Sequence, residues 1–134
     1  MQTLPNSVRH LLPLSLQKFR TSTRSWLCQL YYRDPYLHYE AWNLGRQRGL
    51  MEIGLHFESK NRATNARCLA GFQQHMFEVK AALGSDWEAE PWDKGWTKVY
   101  TVIELDGFNE AYLEQVARLL ALSMTVLQPI FDEI

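Results

Sequence analysis

The chain has 134 residues, 46% of them hydrophobic and 13% aromatic. That is enough for one domain around one core, and too apolar for intrinsic disorder. Its two cysteines, Cys28 and Cys68, form no CxxC and have no ligand-like spacing. This argues against a disulfide framework and for buried thiols in a reducing, cytoplasmic setting. The net charge of −1 conceals a split: residues 1–33 carry Arg9, Lys18, Arg20, Arg24 and Arg33 and no acid, so +5 stands against −6 in the remainder.

Reading from the start, "HLLPLSL" is followed by Gln17-Lys18-Phe19-Arg20 and not by a small-residue cleavage site, so a secretory signal is not expected. An acid-free, Arg-bearing start also suits an organellar transit peptide. Phe19, Trp26, Leu27 and Leu30 fall near helical spacing, however, and predict a basic helix within Ser15–Tyr31. Pro5 and Pro13 make the preceding residues irregular or a short helical turn. Arg33-Asp34-Pro35 is a break, because a residue before proline avoids the helical region.

Tyr36–Asn43 and Leu50–Glu58 alternate in polarity and predict a hairpin whose loop, "LGRQRG", offers Gly45 and Gly49. A helix follows: Ala66, Leu69, Phe72, Met76 or Phe77, and Leu83 recur at three- and four-residue steps, and Gly84 ends it. Lys60, Arg62 and Arg67 flank its start, which reads as a capped, solvated first turn before it reads as a phosphate site. A second hairpin spans Trp87–Leu105 with the turn "WDKGW". Pro91 cannot donate to a ladder and puts its strand at an edge. The last helix starts after Asn109 as N-cap, with Phe108 and Leu113 as a hydrophobic staple and a stripe of Leu113, Val116, Leu120, Leu127 and Ile130. The longest apolar-rich stretch, Ala117–Ile130, is broken by Arg118, Ser123 and Gln128 and is too short to span a membrane.

The expected architecture is a single two-layer α+β domain over residues 1–134. An antiparallel four-stranded sheet in α-ββ-α-ββ-α order carries its helices on one face. Residues two apart in a strand share a face. Leu37, Tyr39, Ala41, Met51, Ile53, Leu55, Phe57, Trp87, Ala89, Val99, Ile103 and Leu105 form the core side. The other side is acidic and aromatic, with Trp42, Trp92, Trp96 and Tyr100 among glutamates.

Two triplets on that side repeat: His38-Tyr39-Glu40 and His56-Phe57-Glu58, each His-aromatic-Glu. The loop length favours a pairing in which His38 faces His56, Glu40 faces Gly54 and Trp42 faces Glu52, and cross-strand Cβ atoms lie about 4.5–5.5 Å apart. His38, His56, Glu40 and Glu58 could then converge on zinc, nickel or iron, or do acid/base work. The plainer expectation is a solvated strand face with no bound metal and no cofactor, since no Cys ligand, Asp cluster or helical motif joins them. Walker, GxGxxG, GxSxG and HExxH patterns are absent.

Composition therefore favours an interaction module over an enzyme. Its aromatic, acidic face (Trp42, Trp92, Trp96, Tyr100) would take a basic, apolar partner, the N-terminal helix, or a second copy in a homodimer. A metal- or small-molecule-binding domain, perhaps hydrolytic, is the alternative. Nucleic-acid binding through residues 9–33 with Arg46 and Arg48 comes third, because the remaining surface is acidic.

Overall fold

The computed structural model describes residues 1–134. Pro5 occupies the first turn of α1 (Leu4–Leu11), where its missing N–H costs nothing. The helix gives way at Leu12, just before Pro13, and a 3-10 turn follows at Leu14–Leu16. The next segment corrects the expected basic helix. Residues 20–31 are a β-hairpin, β1 (Arg20–Arg24) and β2 (Leu27–Tyr31). The run Thr21-Ser22-Thr23 disfavours helix, and Cys28 and Leu30, both buried, are two apart. The helical spacing of Phe19, Trp26, Leu27 and Leu30 is therefore coincidental; Trp26 sits in the turn, about half exposed.

β3 (Leu37–Asn43) and β4 (Leu50–Phe57) form the expected hairpin in the expected register, with His38 opposite His56 and Glu40 opposite Gly54. Gly45 and Gly49 in its loop have φ of 96° and 63°, the left-handed backbone that glycine takes without strain. The middle helix is two: α2 (Arg62–Gln73), capped by the Asn61 side chain, and α3 (Met76–Leu83). No proline or glycine marks the break at Gln74–His75. β5 (Glu88–Pro91) is an edge strand on β6 (Thr97–Glu104). α4 (Glu110–Asp132) is capped by Asn109 Oδ1, which accepts from Tyr112 N at 2.9 Å. The Phe108 ring packs near Tyr112, 6.5 Å between centroids, so Tyr112 is its aromatic neighbour at the helix start.

The sheet thus has six antiparallel strands and not four, in the order β1-β2-β3-β4-β6-β5. The two extra strands are those of the hairpin that replaces the basic helix. The helices pack over the face that carries Tyr39, Ala41, Met51, Ile53, Leu55, Phe57 and Val99, all buried, with Val116, Leu120, Met124 and Leu127 of α4 among the core. Each such side chain contributes roughly 1.5–3 kcal/mol on burial. No helix is long and apolar enough to cross a membrane.

Candidate metal centre

The other face is not solvated at its middle. Alternation along β3 puts His38 and Glu40 on it, and along β4 Glu52, Gly54 and His56. His38, Glu40, Glu52 and His56 are 2%, 3%, 2% and 0% exposed. This corrects the expectation of a wet strand face. Neighbouring strands supply Gln29 of β2, opposite Glu40, and Lys98 of β6, opposite His56.

The cover is aromatic. Trp92 follows edge strand β5 and lies edge-on over His56, 5.6 Å between ring centroids. It also packs against Trp42 at 6.2 Å and Trp96 at 5.3 Å. Lys98 Nζ lies over the Trp92 and Tyr100 rings. Of the four aromatics expected to form an open docking surface, Trp42, Trp92 and Trp96 pack together and Tyr100 joins them through Lys98, all four half-buried.

A missing side chain lets β6 approach beside the cluster. Gly54 sits between Glu52 and His56 on β4 and opposite Glu40 on β3. A Cβ there would meet Val99 O at 2.4 Å and Tyr100 Cβ at 2.6 Å. The glycine therefore permits close approach of β6, whose Val99 and Tyr100 atoms take the place a side chain would fill. Glu52 and His56 are four residues apart, about 13 Å along an extended strand, yet their side chains converge to 3.7 Å between Oε2 and Nε2.

Hydrogen bonding fixes both imidazoles. His38 Nδ1 donates to the Pro35 carbonyl at 2.8 Å, because that oxygen can only accept. Its Nε2 lies 2.9 Å from Glu40 Oε1 and 3.1 Å from Gln29 Nε2. His56 Nδ1 donates to Glu58 Oε2 at 3.0 Å, and its Nε2 lies 3.5 Å from Glu40 Oε2. Neither His56 Nε2 nor Glu52 Oε2, both buried, has a hydrogen-bond partner, and Trp92 Nε1 is a third orphan nearby. The Lys98 ammonium sits 2.5 Å from Glu52 Oε1. It faces Glu90 in register but pairs instead with Glu52, whose buried charge needs it more, while Glu90 accepts from the Tyr100 hydroxyl.

The electrostatics follow. Burial pushes the His38 imidazole down, but its Glu40 hydrogen bond and the Glu40 and Glu58 charges carry it above its ordinary value. Burial alone would raise the Glu40 carboxyl; His56, His38 and Gln29 together hold it below the usual range. Glu40, Glu52 and Glu58 against Lys98 leave two negative charges, which protonated imidazoles or a bound cation would balance.

His38, Glu40, His56 and Glu58 place one potential ligand atom each within 4.8 Å of one another. Metal–N and metal–O bonds of about 2.0–2.2 Å allow ligand atoms on one ion to stand up to about 4.2 Å apart, so small side-chain movements would suffice. Sequence reasoning reached these four residues and missed Glu52, Gln29 and Lys98. The Glu52-Gly54-His56 alternation held the signal for Glu52; Gln29 was hidden by reading its segment as helix. A cleft of about 350 Å³ lies between β3 and α4 on the helical side, lined by Tyr32, Arg33, Leu37, Gln128 and Phe131, and includes none of the cluster's residues.

Comparison of the chain with protein-family models, curated proteins and solved structures finds no match.

Proposed function

We propose that this protein is a divalent-metal-binding domain whose ion sits in the His/Glu centre between β3 and β4. One observation carries the reading: two buried imidazoles, each with Nδ1 committed to an acceptor, turn Nε2 toward the carboxylates of Glu40 and Glu52. A histidine whose far nitrogen donates to a carbonyl or carboxylate is the usual arrangement of a metal ligand. Imidazole with carboxylate suits zinc, iron, manganese, cobalt or nickel, and not a soft, thiolate-seeking ion. A divalent ion would neutralise the site.

The role proposed is structural. The Trp92 cover closes the site, and closed sites hold metals that stabilise folds, whereas catalytic sites keep a position open to substrate. The ion would tie β3 to β4 where no helix supports the sheet. Since the Trp42, Trp92, Trp96 and Tyr100 rings are packed inward, self-association through this face has less apolar area to draw on, and the metal reading takes precedence.

Thermal unfolding with and without zinc or manganese tests the proposal. A ligand at one hundred times its Kd adds about 2.7 kcal/mol of stability. The wild-type melting temperature should rise with metal and fall with chelator, and His56→Ala should lose this response. A wild-type midpoint indifferent to every divalent ion tried would contradict it.

A further inference from the structure

Resting on that metal reading, we infer that Glu52, and not Glu58, completes the set of residues touching the ion, and that Glu58 instead orients His56. The ligands are then His38 Nε2, His56 Nε2, Glu40 and Glu52.

The argument starts from His56. A carboxylate only accepts, so the proton of the neutral ring sits on Nδ1, facing Glu58 Oε2 at 3.0 Å. The ring's lone pair is therefore on Nε2, away from Glu58. Nε2 looks at Glu52 Oε2 across 3.7 Å and at Glu40 Oε2 across 3.5 Å. Two buried acceptors facing each other without a hydrogen between them repel; a cation placed between them relieves both. Two bonds of about 2.1 Å to one ion span these separations at angles of roughly 110–125°, close to tetrahedral.

Glu58 stands differently. Its Oε2 already holds His56 Nδ1, its Oε1 is 3.7 Å from His38 Nε2, and its side chain is 16% exposed against 2% for Glu52. Bringing Oε2 onto the ion would release the hydrogen bond that aims His56, and Oε1 faces His38 and not the unpartnered His56 Nε2. Glu52 needs no such release. Lys98 holds only its Oε1, leaving Oε2 free and pointed at the site.

Cobalt-loaded protein tests the assignment, because the visible absorption of cobalt(II) reports its ligands and coordination number directly. Glu52→Gln should change the shape of that spectrum and weaken cobalt binding at least 10–100-fold, with Glu52→Asp restoring part of both. Glu58→Gln should keep the wild-type spectral shape and weaken binding within the 10–100-fold range of an orienting partner. Far-UV circular dichroism of each variant checks that it is folded. A spectrum unchanged in Glu52→Gln, or changed in Glu58→Gln, would overturn the assignment while leaving the metal reading intact. A wild-type protein that takes up no cobalt would overturn both.

Discussion

The two faces of one sheet are dry by opposite means. On the helical face, Ile53 and Leu55 of β4 and Val99 of β6 meet α2 and α4, and dispersion and the hydrophobic effect act without direction. On the other face, the alternate residues Glu52 and His56 are as fully buried, yet their cover is a cluster of tryptophans and their neighbours are charged. A core of the first kind is stable by itself. A buried polar cluster is stable only when every member is satisfied, and here His56 Nε2 and Glu52 Oε2 face each other without a partner. The difference teaches where the proposed ion would act: an apolar core is held by packing alone, whereas the charged one is where a bound cation would add stability.

That contrast can be broken by mutation. The largest effects belong to the helical face: Ile53→Ala should cost about 2–5 kcal/mol in chemical denaturation, by the same amount with metal or chelator present. A cost that changed with metal would mean the faces are not independent. Gly54→Ala should come next, at about 3 kcal/mol, because the added methyl meets backbone and Cβ atoms that cannot rotate away. It should also abolish metal-dependent stabilisation, which Ile53→Ala should not.

Smaller effects calibrate the rest. Asn109→Ala and Asn61→Ala each remove a side-chain acceptor from a helix N-terminus and should each cost about 1 kcal/mol in the same assay. An unchanged midpoint in either would mean that water caps that helix equally well. Lys80→Ala should change stability by less than about 0.5 kcal/mol, since its pair with Glu88 is exposed on both sides.

Much of this fold is legible in residue order. Period-two alternation gives β3 and β4 their faces and, with the loop length, the His38–His56 register. Pro91 marks the edge strand, and Asn109 marks the start of α4. Two things are not legible. The hairpin at residues 20–31 mimics a helix because Trp26 lies in its turn and Leu27 opens the next strand, where apolar spacing carries no helical period. Burial of the His/Glu face cannot be read from alternation, which says which residues share a face but not what lies over it. That depends on Trp92, far along the chain from β3 and β4, folding back from edge strand β5. A sequence window sees Glu52, Gly54 and His56 as polar positions, and only the assembled sheet makes them neighbours of Lys98 and Gln29.

The central claim is that the charged face is completed by an ion, and metal stoichiometry tests it most directly. Protein purified without chelator, then exposed to excess zinc, manganese or cobalt and desalted, should carry one equivalent of divalent metal by elemental analysis, and His56→Ala should carry none. A folded wild-type protein that retains no metal after this loading, or a His56→Ala variant that retains as much as wild type, would contradict the account.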